Sequence, residues 1–313
     1  MGAFTLAGLL YLGAAIAVLP VVGRVRPTRR AIVRGAPRLA TAVVLGGAVG
    51  PVLLAAGLSH APAATASLLL NLELVFTTVL AYFVFREHLG PRVVAGTGLV
   101  LIAGVVLGWS GNADLRWGAL LIAGACFCWG VDNCVTANLD ELAPSHITLV
   151  KGVIAGGANL AIGLALGGAP TGWSILGALV VGGFGYGVSI TLWVAGARDL
   201  GAARGQLVFA TAPFVGAIVA WTVFADPATT REVVSLLIAA IGVSFVLRSD
   251  HEHDHSHDPI EHDHEHVHDD GHHDHTHPEH EVVRHQHSHR HEALVHAHPH
   301  VPDVHHRHDH AGT

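Results

Sequence analysis

Long apolar runs separated by short polar breaks fill the chain up to about Ser249, and His alternating with other polar residues fills the rest. The apolar runs lie at roughly 3–22, 39–59, 62–85, 92–109, 118–138, 147–166, 173–196, 203–224 and 232–248. Most are near twenty residues. At ~1.5 Å per residue, a helix of that length crosses a ~30 Å hydrocarbon core. The pattern predicts an all-α polytopic membrane protein with nine visible spans. Glycine pairs recur inside these runs (Gly46-Gly47, Gly156-Gly157, Gly182-Gly183), as expected where membrane helices approach closely.

The stretch Ala61–Arg92 returns later as Asp199–Arg231. Ala81-Tyr82 falls on Ala220-Trp221, Phe85 on Phe224, Glu87 on Asp226, Leu74 on Pro213 and Gly57 on Gly196, each pair 139 residues apart. A constant offset over some thirty residues marks an internal repeat. Two copies of a multi-helix unit in a membrane chain point to a secondary transporter with its site between the copies. The expected organisation is a first repeat at 1–109 with four spans and a linker at 110–117. A second repeat with five spans follows at 118–249, then a tail at 250–313. The counterpart of span 118–138 would precede Met1, so the expectation is a ten-helix plan without its first helix, through a misplaced start codon or a truncation.

Composition sharpens the division. The 313 residues are 51% hydrophobic with a mean hydropathy of +0.48, and only 13% are charged. From Asp250 onward lie 15 of the 24 acidic residues and 24 of the 27 His. Arg24, Arg26, Arg29, Arg30, Arg34 and Arg38 crowd one connection, which the positive-inside rule assigns to the cytoplasm. Alternation then puts the N-terminus outside and the tail inside a cytoplasmic (inner) membrane. The first apolar run lacks the basic leader of a cleavable signal peptide.

Glu73 sits near the middle of its span. A carboxylate there faces protein or a water-filled path, as a site for a proton or a substrate amine, or it is simply held neutral by a neighbouring helix. Asn71 and Ser67, four residues apart, share a helical face. They line a common cavity or bond backbone carbonyls. Asp132 and Asn133 lie toward the cytoplasmic end of their span. Lys151, the one Lys in the chain, lies at similar depth in the next. Asp132–Lys151 is therefore a candidate ion pair, the alternative being a lysine that snorkels to the headgroups. Tyr186, Gln206 and Trp129 are weaker cavity candidates. Cys126 and Cys128 point ~200° apart on a helix and cannot chelate together; with Cys134 they read as small buried hydrophobes.

The residues PAATASLLLNLELVFTTVLAYFVFREHLG and GTGLVLIAGVVLGW resemble the EamA-type members of the drug/metabolite transporter superfamily, as do CFCWGVDN and ATAPFVGAIVAW in the second copy. The resemblance spans Met1–Leu247. It implies ten helices in two inverted five-helix repeats, alternating access, and movement of small metabolites or drug-like solutes. Two features depart from the pattern. Leu74 stands where a mid-helix proline is usual, while its partner Pro213 is kept, and the usual first helix is absent.

The tail has almost no apolar periodicity and is expected to be disordered. Its candidate metal ligands are His251, His253, His255, His257, His262, His264, His266, His268, His272, His273, His275 and His277, with Asp and Glu interleaved. Neutral imidazole suits Zn, Ni, Co or Cu. No cofactor is required beyond such a divalent transition metal held by the tail.

The leading functional reading is thus a membrane transporter of small metabolites or drug-like solutes, with a proton as candidate coupling ion and a cytoplasmic metal-binding tail. The alternatives are a divalent transition-metal transporter and a non-transporting, membrane-anchored metal buffer or sensor. Expected partners are the lipid bilayer, a small-molecule or ion substrate and, as a further candidate, a second copy in a homodimer. Nucleic acid is not expected. No nucleophile–base arrangement or phosphate-binding loop marks an enzyme.

Overall fold

The computed structural model describes residues 1–23, 27–85, 90–109, 112–139, 142–200, 206 and 209–247, together with four short segments of the tail. Arg24, Arg26, Arg86, Glu87 and the tail positions His268, His272, His273, His275 and His277 lie outside the described residues. The chain divides into two units, Met1–Ser249 and Asp250–Thr313.

Every regular element described in the first unit is a helix. α1 (Ala3–Val22) is followed by a 29-residue rod from Arg29 to Gly57. Within that rod, α2 (Arg29–Thr41) passes through a π-helical segment, Ala42–Val49, into α3 (Gly50–Gly57). The next span is broken into α4 (Ala63–Leu69) and α5 (Leu72–Phe85). α6 (Pro91–Gly108), α7 (Ala113–Ala137) and α8 (Pro144–Ala165) are continuous. α9 (Gly172–Val181) leads through a second π-helical segment, Gly182–Val188, into α10 (Ser189–Leu200). α11 (Ala212–Thr222) and α12 (Thr230–Leu247) complete the described helices. Seven of the helical stretches are long and apolar enough to cross a membrane, with α11 a shorter apolar helix.

Some boundaries differ from expectation: α7 begins at Ala113, inside the stretch read as a linker. The arginine-rich connection is helical from Arg29, ten residues before the apolar run begins. Thr28 caps it, its hydroxyl accepting from Ala31 N at 3.2 Å. Arg, Ala and Leu are good helix formers, so polarity alone does not stop the helix.

The repeat is visible in backbone geometry as well as in sequence. The two π-helical segments lie one repeat apart, to within a residue, and so do the breaks at Leu70–Asn71 and Ala210–Thr211. Counterpart helices pack on each other: α1 on α8, and α6 on α12. Alternating passes run such counterparts in opposite directions, which makes the repeats inverted. Glycine permits the approach. A Cβ on Gly156 would meet Leu12 N at 2.9 Å and Gly8 O at 3.1 Å, and one on Gly242 would meet Gly96 O at 2.7 Å. Close packing of this kind holds membrane helices together where lipid supplies no hydrophobic drive.

In the second unit β1 (His251–His257) pairs antiparallel with β4 (Leu294–His300), and β2 (Glu261–His266) with β3 (His285–Arg290). A His-X-His alternation has the period of an extended strand, and antiparallel pairing satisfies backbone groups that a lone extended chain leaves to water.

Candidate functional site

The broken helix α4–α5 positions the site without the help of a proline. Around Leu70–Asn71 the bonds tighten to the i−3 pattern: Asn71 N to Leu68 O at 3.2 Å, Glu73 N to Leu70 O at 3.0 Å and Leu74 N to Asn71 O at 3.1 Å. The Asn71 side-chain amide donates to Leu68 O at 3.3 Å, competing with the ladder as Asn side chains do. Carbonyls loosened there are met by Cys126 Sγ, 3.8 Å from both Leu69 O and Leu70 O. In the second copy Pro213 stands in the first turn of α11, where its missing N–H costs nothing. The two breaks meet: Ser67 Oγ donates to Pro213 O at 2.9 Å. Asn71 and Ser67 thus both bond backbone carbonyls and both line the same cavity.

That cavity, of about 290 Å³, is bordered by all of Glu73, Asn71, Asp132, Asn133, Lys151, Tyr186 and Gln206. Residues expected separately along the chain therefore share one space. Asn133 is its hub. Its Nδ2, with two N–H groups, stands 2.7 Å from Glu73 Oε1 and 3.0 Å from Gln206 Oε1, with Thr77 Oγ1 a third acceptor at 3.3 Å. Gly130 makes this reach feasible, because a Cβ there would stand 2.9 Å from Phe76 Cβ and 3.0 Å from Thr77 N.

Asp132 and Lys151 form the ion pair that their depths suggested, and both side chains are buried, at 7% and 2% exposure. The lysine does not snorkel. Lys151 has three N–H groups and the carboxylate takes one. Gly46, in the first π-helical segment, lies against the Asp132 carboxylate so closely that a Cβ would overlap it. The Gly46 carbonyl also accepts from Tyr11 Oη at 2.6 Å and from Trp129 Nε1 at 3.1 Å. Tyr11 in turn packs on Tyr186 of the second π-helical segment, with ring centroids 5.3 Å apart. Both segments thereby shape the cavity wall.

Three residues that line the cavity each carry a buried polar atom with no hydrogen-bond partner among the described residues: Asn71 Oδ1, Asp132 Oδ1 and Trp193 Nε1. Two are acceptors and one is a donor. A buried polar group left unpaired costs ~1–3 kcal/mol, so the arrangement suits a guest that carries both donors and acceptors.

Tyr11 and Trp193 escaped the sequence reading. Tyr11 did leave a signal. It is the one tyrosine of the first apolar run, and the repeat offset carries it to within a residue of Lys151. Trp193 left none, since a tryptophan in a span reads as packing. The three cysteines are buried, and among the described residues none is joined in a disulfide. Among the described residues no group of three His, Cys, Asp or Glu is placed to hold a metal ion.

Comparison with known proteins bears on this architecture. The model of the EamA-like transporter family matches residues 1–109 and 116–248. The chain belongs to the EamA-like transporter family. With its repeated apolar helices, this EamA-like chain is a multi-pass membrane protein. It is 30% identical over 208 residues to an uncharacterized transporter of Methanothermobacter thermautotrophicus, a match covering 64% of this chain and 60% of that relative. A solved crystal structure shares the fold at a TM-score of 0.60 with 19% identity, over 79% of this chain and 89% of the other.

Proposed function

We propose that this EamA-like protein is a transporter that carries a small polar metabolite or drug-like solute through the cavity between its repeats by alternating access. The observation that carries the reading is the convergence, at two facing helix breaks, of Glu73, the Asp132–Lys151 pair and three residues bearing unpartnered polar atoms on one cavity of about 290 Å³. Broken helices facing one another at mid-membrane are a recurrent way to expose polar backbone to a solute. In this mechanism the solute bonds to Asn71 Oδ1, Asp132 Oδ1 and Trp193 Nε1, while aromatic rings of Tyr11, Tyr186 and Trp129 wall it in. Glu73 is the coupling group. Exchanging a proton or a substrate amine on its carboxylate alters its bond to Asn133, and through Asn133 the tie to Gln206.

The Arg-bearing ends of the helices face the cytoplasm in this reading, in accord with the positive-inside rule, and the membrane is the inner one. The tail, carried to the same side by alternation of the spans, binds a divalent transition metal such as Zn, Ni, Co or Cu. Supporting this is the Cα register, which sets His251 opposite His300, His253 opposite His298 and His255 opposite His296. In β2 and β3 it likewise sets His262, His264 and His266 opposite His289, His287 and His285.

The test is solute-evoked current or counterflow in proteoliposomes of the full chain, screened with amino acids, amines and nucleosides. A solute that is moved by the wild type and not by Glu73→Gln is the expected result. Flux unaffected by Glu73→Gln, Asp132→Asn and Trp193→Phe alike would remove the cavity from the transport path.

A further inference from the structure

The rod from Arg29 to Gly57 is longer than the membrane core. Its 29 residues span ~43 Å at ~1.5 Å each, against a ~30 Å hydrocarbon thickness. The excess of ~13 Å falls on α2, whose sequence RRAIVRGAPRLAT holds four arginines and no acidic residue. Arg30, Arg34 and Arg38 follow each other at i+4 spacing and so form one stripe, and Arg29 lies ~100° round the helix from Arg30, across Val33. Like charges at that spacing repel and weaken a helix unless an anion sits among them.

The adjoining face of α2, ~100° round from the stripe, is already occupied. Gly35 is buried, with a Cβ there coming 2.8 Å from the Leu139 side chain, and Ala31 and Leu39 pack against the cluster around Leu139, Leu142 and Ile147. Arg38, at the edge of the stripe, donates to Asn138 O at 2.9 Å and pins α2 to the end of α7. Arg29, Arg30 and Arg34 stay exposed. Flanking them, Ile32 and Val33 are 46% and 65% exposed, as on helices that lie at the boundary of headgroups and acyl chains. Trp109, Trp117 and Trp173 are 81%, 55% and 86% exposed and lie at the other end of the alternating spans. That is the position of an interfacial aromatic belt, and it places the arginine stripe in the headgroup layer of the facing leaflet.

We propose that Arg29, Arg30 and Arg34 of α2 form a binding surface for anionic phospholipid headgroups, edged by Arg38 and by the apolar Ile32 and Val33. The charge, the lack of acidic residues in the helix, the headgroup depth and the apolar flank all match a lipid phosphate attached to acyl chains. The surface lies outside the solute cavity and does not depend on what the cavity carries.

The experiment is native mass spectrometry of the full chain, released from vesicles of equal parts phosphatidylglycerol and phosphatidylcholine. The wild type is compared with Arg29→Gln/Arg30→Gln/Arg34→Gln and with the corresponding triple Lys variant. At roughly fivefold per arginine at low salt, the Gln variant is expected to lose on the order of a hundredfold of its preference for phosphatidylglycerol. The Lys variant should keep most of it. Wild-type preference retained by the Gln variant, or lost equally in the Lys variant, would overturn the proposal. If the Gln variant does not fold, the wild type alone decides: its preference must vanish at high salt, and persistence there overturns it. Displacement of the lipid by inorganic phosphate beyond chloride at equal ionic strength would assign the surface to free phosphate and sink the lipid reading.

Discussion

Asn133 Nδ2 stands 2.7 Å from Glu73 Oε1, and this contact joins the broken span to α7 at the cavity wall. The same amide holds Gln206 Oε1 at 3.0 Å. A change of charge on Glu73 is therefore felt in two other helical segments at once. Hydrogen bonds to an ionised group contribute about 1.5–3 kcal/mol, roughly twice a neutral one.

Glu73→Gln keeps the size and an acceptor but removes the charge. It is expected to leave the thermal transition nearly unchanged and to lower solute flux roughly ten- to a hundredfold, the equivalent of one charged hydrogen bond. Counterflow in proteoliposomes, with a thermal melt of the same preparation, measures both. Wild-type flux in that variant would show that Glu73 is a structural acceptor.

The Asp132–Lys151 pair is buried, and breaking a buried pair from one side strands a charge. Lys151→Met and Asp132→Leu alone should each destabilise by roughly 3–5 kcal/mol. The double variant is expected to be more stable than either single one. A double-mutant cycle on denaturant or thermal unfolding in detergent reads the coupling, and additive losses would mean that the two side chains do not rely on each other.

Gly46→Ala places a methyl group against the Asp132 carboxylate. A loss of about 1–3 kcal/mol is expected from this overpacking, together with weaker solute binding, because Asp132 must turn. Gly157→Ala is the control. Its added Cβ meets nothing within 4 Å, and in a helix alanine is favoured over glycine by up to ~1 kcal/mol. Equal melting shifts for the two would contradict the role assigned to Gly46.

In the proposed reading the tail histidines would bind metal, and imidazole does so only when neutral. Calorimetry with Zn or Ni on the full chain should show several bound ions near pH 7 and steep loss toward pH 5, across the ordinary imidazole pKa of ~6.5. A chain ending at Ser249 should bind almost none. Full binding by that shortened chain would move the metal sites into the membrane unit.

Much of this was legible because bilayer physics writes large signals into sequence. A span needs about twenty apolar residues, so the helices could be counted, and a polar group inside one is costly enough to mark itself. Glu73, Asn71, Asp132, Asn133, Lys151, Tyr186 and Gln206 are polar positions of this kind, and all border one cavity. Leu74 illustrates the limit. With no proline there, the sequence did not announce a broken helix, yet Asn71 and the i−3 bonds around it break it.

What the sequence by itself determined was the helical membrane body, its internal repeat, the polar positions within the spans and the chemical bias of the tail. Each follows from composition and spacing along one dimension. Only the tertiary structure decided that Lys151 turns inward to Asp132, that Asn133 bridges Glu73 and Gln206, and that Tyr11 and Trp193 belong to the wall. It also decided where the chain departs from a simple α-helix. Those outcomes depend on which helix faces approach, and at Gly46, Gly130 and Gly156 the approach is set by the absence of a side chain. Local pattern cannot reveal which distant backbone fills the space that a glycine leaves.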